Sequence, residues 1–361
     1  MFSFDLRALA ERSGPERAFL SVYLSGPDAV GGLQQRLKHA RAFLADQPEE
    51  LEHFEESLKL AEPHFERAFP ETSRVVFASW AADYVEAFDL PLEVPDIVRV
   101  DSSPYIRPLA ELEDEYEDFA VVVVDSRSAQ VYRVDAADLH AAGRVRGDVK
   151  NRVKKGGWSQ QRYARRREKE LERYATDVAE ALTELHRERP FGRLVLLGQD
   201  EAMRAVEAAL PTEMRERLVG EQAIDVGEGE AAVERAALAL YFEQERAEEE
   251  RLWEQIREAY LSGGLGVTGA TRVLEAAKQG RVEVALVDRE AKIEGSRCRD
   301  CEHLAHGLPQ TCYACGSKDL FPVDLVNELV ELLAQTSAEA DFTDPFDALA
   351  EVGHVAALLR Y

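Results

Sequence analysis

Two groups of residues in this sequence have types and spacings that could do chemistry. The first is a pair of C-x-x-C knuckles, Cys298-Arg299-Asp300-Cys301 and Cys312-Tyr313-Ala314-Cys315, with ten residues between them. Each knuckle can put two thiolates on one side of a tetrahedral zinc, and the second knuckle closes the shell. Gly316 permits a tight turn after the last ligand. All four cysteines of the chain fall in this window, which favours a metal over scattered disulfides. A closed shell leaves no position for water, so the expected Zn2+ is structural rather than catalytic. His303 and His306 lie between the knuckles and are weaker ligand candidates, read instead as exposed loop histidines.

The second group is a basic island around two glycines. Between Arg144 and Lys169 the cations are Arg144, Arg146, Lys150, Arg152, Lys154, Lys155, Arg162, Arg165, Arg166, Arg167 and Lys169, against only Asp148 and Glu168. The whole chain carries a formal net charge of -25, so this is a local reversal of sign. Charge runs are usually solvated faces. Three details favour contact with RNA or phosphate instead. The cations flank both sides of Gly156-Gly157, the tip Trp158-Ser159-Gln160 is aromatic and polar, and an apolar hairpin before and a long helix after give the loop a rigid mount.

The elements that must carry these residues alternate between strand and helix, which implies an α/β multidomain protein. Residues 1–115 read as an N-terminal α/β domain, with strands at Arg17–Leu24 and Ser73–Trp80 and one helical stretch from Gln34 to Phe69. Ser102–Leu109 and the acidic run after it read as an interdomain connector. The middle domain, 116–250, opens with a fully apolar strand at Phe119–Asp125 and a hairpin partner at Gln130–Val134. A helix from Arg165 to Arg187 then places Leu171, Tyr174, Val178, Leu182 and Leu185 on one face, and Arg193–Gly198 is a buried strand before a helix at Asp200–Ala209. A charged helix, Glu230–Leu261, leads into the C-terminal domain, 251–361. That domain has a helix at Thr268–Gln279, a strand at Val282–Val287, the cysteine insertion at 296–318, a helix at Leu325–Ala334 and a strand at Ala338–Phe342. Gly264-Leu265-Gly266-Val267-Thr268-Gly269 spells G-x-G-x-x-G, but a charged helix precedes it where a dinucleotide site needs a strand, so it reads as a turn between helices.

Composition narrows the classes of function. The excess of acids (69 Asp+Glu against 44 Lys+Arg) argues against a general nucleic-acid coat, so any RNA contact is local and oriented. No apolar run approaches the roughly eighteen residues of a membrane span, and no signal peptide is read at the N-terminus, so the expected location is cytoplasmic. There is no P-loop, no H-E-x-x-H and no nucleophile elbow, and no carboxylate pair is singled out by spacing.

The run Gly156-Gly157-Trp158-Ser159-Gln160-Gln161-Arg162-Tyr163-Ala164-Arg165 resembles the catalytic loop and following helix of the archaeal and eukaryotic class-1 peptide release factors, and more closely their bacterial relatives. The hallmark of those factors is Gly-Gly-Gln, then Ser and an Arg-aromatic-Ala-Arg run. Leu194–Gly198 resembles the next core strand of the family's middle domain, Thr268–Val287 the start of its third, and His354–Tyr361 its terminal motif. The zinc-knuckle insertion is similar to that of archaeal members. The likeness runs from about Phe119 to Tyr361. Two departures stand out. Trp158 occupies the position of the classical Gln, and Gly157-Trp158-Ser159-Gln160 forms a G-x-x-Q similar to the loop of ribosome-quality-control peptidyl-tRNA hydrolases. The N-terminal domain is divergent, with no Asn-Ile-Lys-Ser stop-codon motif.

The resemblance implies a release-factor-like α/β middle domain and a C-terminal α/β/α sandwich. It implies codon-independent, ribosome-associated hydrolysis of peptidyl-tRNA in rescue or quality control. Gly156, Gly157 and Gln160 would then be the catalytic residues, and Lys154, Lys155, Trp158, Arg162, Arg165 and Arg166 would contact RNA of the large subunit. The partners implied are the ribosome, peptidyl-tRNA and an EF-Tu-like translational GTPase. A non-catalytic hibernation factor occupying the tRNA site is the alternative, and a tRNA-cleaving nuclease ranks below both.

Overall fold

The structure, a computed structural model, describes residues 4–68, 72–116, 118–126, 128–135, 138–146, 158–225 and 229–361. Its contacts form two compact units, Tyr116–Glu248 and Phe2–Glu115 together with Glu249–Tyr361. The three segments read from the sequence thus distribute over two packed bodies.

The N-terminal segment begins with a short helix, α1 (Leu6–Ala10), whose first turn is capped by Asp5 accepting from the Ala8 N–H at 3.0 Å. Strand β1 (Phe19–Leu24) is followed by helices α2 (Ala29–Phe43) and α3 (Pro48–Phe65), then by β2 (Ser73–Ser79), β3 (Tyr84–Leu90) and β4 (Ile97–Asp101). The sheet order is β3-β2-β1-β4, with every pair antiparallel. Leu33, Leu37, Phe54, Leu58 and Ala61 of the two helices pack on Leu20, Val22, Val76 and Ala78. The single helix expected from Gln34 to Phe69 is therefore two. Pro48 explains the break: its ring has no N–H and would clash with the carbonyl four residues earlier, so the chain stops at Leu44 and restarts with Pro48 in the first turn.

The stretch expected to be a connector is instead interior. Ser102, Ser103, Tyr105, Ile106 and Arg107 are buried, and Arg107 opens helix α4 (Arg107–Glu115). Asn327 Oδ1 accepts from the Ile106 and Arg107 N–H groups at 2.8 and 3.0 Å. The Arg107 guanidinium donates to the carbonyls of Ala291 and Arg289 at 2.8 and 2.7 Å. These bonds satisfy polar groups that made the segment look solvent-bound.

In the other unit, β5 (Phe119–Val124), β6 (Ser128–Asp135) and β7 (Asp138–Arg146) form an antiparallel meander. Helix α5 (Trp158–Glu188) leads to β8 (Arg193–Gly198), then α6 (Asp200–Ala209), α7 (Thr212–Glu216) and β9 (Leu218–Ala223), before helix α8 (Glu230–Leu261). The sheet order is β7-β6-β5-β8-β9, with β5, β8 and β9 parallel. Ala120, Val122, Leu194 and Leu196 pack under α5 and α6, while Val121, Val123, Val195 and Leu197 belong to a core with Val233, Ala237 and Tyr241 of α8. Both faces are covered, which is why β5 is apolar at every position.

Gly198 ends β8 at φ +132, and a Cβ there would lie 2.0 Å from the Val124 carbonyl oxygen. Gly198→Ala is expected to cost about 2 kcal/mol or more, because strain and collision with backbone add. Urea unfolding followed in Tyr116–Glu248 checks this; an unchanged midpoint would rule out so close a crossing.

The C-terminal segment continues from α8 through β10 (Gly266–Thr268), α9 (Ala270–Lys278), β11 (Val282–Asp288), β12 (Glu294–Cys298), β13 (Leu304–His306), β14 (Leu320–Asp324), α10 (Leu325–Gln335), β15 (Glu339–Thr343), α11 (Asp347–Glu351) and β16 (Val355–Leu359). One sheet has the order β10-β16-β11-β15 and a smaller one β13-β12-β14. Leu286, Ala356 and Leu358 pack against Leu252, Trp253 and Ile256 of α8, and α9 also contacts β11 and β16. The G-x-G-x-x-G stretch, expected to be a plain turn, contains the short strand β10. Gly266 is needed there because a Cβ would sit 2.3 Å from the Ile256 carbonyl oxygen.

This unit holds buried carboxyls that titrate far from their usual range. Burial first, then the neighbouring Asp341, pushes Asp114 up to about 8, although the Phe342 N–H donates to it at 2.9 Å. Burial likewise pushes Glu328 up to about 7, against the pull of Arg297. A carboxyl whose folded pKa is raised favours folding fully below its unfolded value and loses that contribution as pH rises through the folded value. The melting temperature of this unit should therefore fall between about pH 4 and 8, and Asp114→Asn should flatten the slope. Calorimetry across that range checks it; identical slopes in the two proteins would contradict the assignment.

Candidate functional site

The sequence places its candidate catalytic loop between β7 and α5. Lys154, Lys155, Gly156 and Gly157 lie outside the described residues. Helix α5 starts at Trp158, so the backbones of Trp158, Ser159 and Gln160 form its first turn and Arg162 lies in the turn that follows. The first turn of a helix has N–H groups without intrahelical acceptors and carries the positive end of the helix dipole.

Among the described residues, the first buried core position of α5 is Leu171. Tyr174, Val178 and Leu182 follow it at helical spacing, as the sequence pattern indicated. The described side chains Arg165 to Glu170 are exposed or half-buried ahead of that core, and Trp158 to Glu170 spans about 20 Å of helix. Arg165 and Arg166 are exposed on this arm, and Arg166 pairs with Glu170 at 2.9 Å. An exposed i,i+4 pair is weak (about 0.3–0.5 kcal/mol), so it leaves Arg166 able to exchange Glu170 for another anion. Arg167 was counted in the basic island but given no contact from the sequence. It grips Glu201 of α6 through two bonds of 2.7 and 2.6 Å, which fixes the arm against the neighbouring helix.

The second candidate is the cysteine centre. Cys298 ends β12, Cys301 follows in the next turn, and Cys312 and Cys315 lie between β13 and β14. Cys298 and Cys312 are buried, whereas Cys301 and Cys315 are exposed. All four sulfurs lie within 4.8 Å of one another, with Cys298–Cys315 and Cys301–Cys312 both at 3.6 Å. Four thiolates around zinc at about 2.3 Å would stand about 3.8 Å apart, so the donor set fits a tetrahedral ion. The turns are held by bonds from the Cys298 N–H to the His303 carbonyl at 3.0 Å and from the Gly316 N–H to the Cys312 carbonyl at 2.9 Å. Gly316 takes φ +78, the left-handed turn expected of it. Backbone N–H groups of Cys315 and Ala314 donate to the Cys312 sulfur and bring its thiol down to about 7, so it is readily available as a thiolate. Neither His303 nor His306 joins the metal-capable cluster among the described residues.

Comparison with known proteins bears on the first of these centres. Residues 104–241 match the family model of bacterial archaeo-eukaryotic release factor family 10. A second match, 29% identical over 218 residues, is to the peptide chain release factor subunit 1 of Methanopyrus kandleri, covering 57% of this chain and 52% of that protein. Over these residues the chain is similar to the class-1 peptide release factors and their bacterial relatives. It spans about half the length of the curated relative it matches. Among solved structures, archaeal translation termination factor aRF1 is 15% identical and aligns over 99% of this chain and 96% of that one, with a TM-score of 0.27. Archaeoglobus fulgidus Pelota is 16% identical over 80% of this chain and 79% of its own, with a TM-score of 0.35. Saccharomyces cerevisiae Dom34, described as a translation termination-like factor in RNA quality control that interacts with Hbs1, is 11% identical over 80% and 79%, with a TM-score of 0.45. The family-model match includes the whole G-x-x-Q loop and the arm of α5.

Proposed function

We propose that this protein is a ribosome-associated peptidyl-tRNA hydrolase that frees nascent chains without reading a codon. The observation that supports it most is the position of Gln160, in the first turn of a helix whose first buried core side chain among the described residues, Leu171, lies eleven residues further on. A loop mounted on such an arm can enter a narrow polyanionic site while its domain stays outside. Gln160 is not a general base, since an amide does not ionise near neutral pH. Its amide orients water toward the ester carbonyl, and backbone N–H groups at Gly156, Gly157 and the start of α5 stabilise the charge developing on oxygen. Lys154, Lys155, Arg162, Arg165 and Arg166 hold the arm against large-subunit RNA phosphates, and Trp158 stacks on a base or ribose. The cysteine centre holds a structural Zn2+ on Cys298, Cys301, Cys312 and Cys315, and a translational GTPase of the EF-Tu type delivers the protein.

Trp158 in the classical Gln position favours one second reading, a ribosome-bound hibernation factor that performs no hydrolysis. Purified protein added to stalled large subunits carrying peptidyl-tRNA separates the readings. Release of peptide with full-length tRNA supports the hydrolase, binding without release supports hibernation, and shortened tRNA points to a nuclease.

A further inference from the structure

The first cysteine knuckle is tied to the N-terminal segment through the residue between its ligands. Arg299 donates to Glu16 at 3.2 Å and to Glu50 at 2.5 Å, while its Nε pairs with Asp319 at 3.0 Å. Glu50 lies in α3 and is fully buried, with a side-chain exposure of 1%. Its other oxygen accepts from Arg17 at 3.3 Å. Both guanidiniums also lie over one ring: Arg299 is 4.8 Å and Arg17 4.9 Å from the centre of Phe321. Arg17 in turn lies 4.6 Å from the Phe43 ring of α2. A chain of cation–ring contacts, Arg299 to Phe321 to Arg17 to Phe43, thus links the knuckle to the N-terminal helices.

Phe43 and Arg17 line a cavity of about 1070 Å³ within the same unit, walled by β4, α2 and residues 289–294. The backbone of Arg299 is held by the knuckle on one side and by the Asp319 carbonyl at 3.0 Å on the other. Its side chain can keep this fork only while Cys298 and Cys301 are fixed. A loop-rich module of this size has little core of its own, so the metal supplies the rigidity.

We propose that the cysteine centre is a metal- and thiol-dependent lock on the N-terminal segment, with Arg299 as the bolt and Glu50 as its seat. This rests on the metal reading given above. While the ion is bound, the buried Glu50 is shared by two cations. When the ion leaves, Arg299 is freed, Glu50 keeps only Arg17, and the corner formed by α3 and β1 opens to water. Oxidation reaches the same state through the exposed Cys301 and Cys315, whose buried partners stand 3.6 Å away. A peroxide is the oxidant: in each pair two thiolates, one hydrogen peroxide and two protons give one disulfide and two waters, and the metal departs with its ligands consumed.

The test is hydrogen exchange on the full chain, read in residues 17–24 and 48–58 with 193–198 as an internal reference. Four samples are compared: metal-loaded, chelator-stripped under reductant, peroxide-treated, and metal-loaded Arg299→Ala. The lock predicts at least tenfold faster exchange at 48–58 in the last three, with the reference segment unchanged. Arg299→Lys keeps the charge without the fork and should fall between; it also serves if the alanine variant folds poorly. Unchanged exchange after confirmed metal loss, or in Arg299→Ala with metal still bound, would overturn the proposal. A protein that never binds metal, with Arg299→Ala still opening the corner, would instead sink the metal reading and the lock's control while leaving the bolt in place.

Discussion

Gln160→Ala is expected to lower peptide release from stalled large subunits by about a hundredfold or more while leaving cosedimentation with the ribosome unchanged. The size follows from the role assigned. Removing one group that orients water or stabilises an oxyanion costs about 10²–10³ in rate, or about 3–4 kcal/mol. Binding survives because the residues assigned to phosphate contact are different ones. Arg165 and Arg166 are exposed on the arm, and replacing both with alanine should weaken binding and its salt dependence with a smaller effect on release at saturation. Loss of release and of binding together in Gln160→Ala would mean that the residue props the loop rather than acting on the ester.

Metal removal is expected to have the largest effect on stability. Four sulfurs within 4.8 Å, two of them buried, need a cation to coexist as thiolates. Stripping the ion, or Cys312→Ser, should disorder β12, β13 and β14 and lower the melting temperature of their unit by about 10 °C, taking a loss of about 4 kcal/mol at about 2–4 °C per kcal/mol. Zinc should restore it at one equivalent. A melting temperature indifferent to chelation in protein shown to have held metal would mean that the small sheet stands by itself.

The cysteine cluster and the helix that carries the candidate loop were visible in the sequence because each rests on short-range spacing. The knuckles needed only C-x-x-C twice, and the arm needed only the charge reversal and the apolar stripe of Leu171, Tyr174, Val178 and Leu182. Helix α8, read from Glu230 to Leu261, coincides with the helix found, since a long run without Pro or Gly has no competing structure. What escaped has physical causes. Strands β3, β4 and β7 are edge or outer strands with mixed burial, so neither apolar runs nor clean alternation marks them. The burial of Ser102–Arg107 depends on Asn327, 220 residues from Arg107. The Arg299–Glu50 pair spans 249 residues. Such contacts belong to the fold and leave no local trace in composition or period.

The central claim is that water, directed by Gln160, cleaves the ester between nascent peptide and tRNA. It is tested most directly by supplying stalled large subunits with the protein in water enriched in oxygen-18. Hydrolysis predicts one heavy oxygen in the carboxylate of the released peptide and a full-length tRNA with a free 3′ hydroxyl, with neither product formed by Gln160→Ala. Stable binding with the ester intact, or peptide still attached to a shortened tRNA, would contradict it.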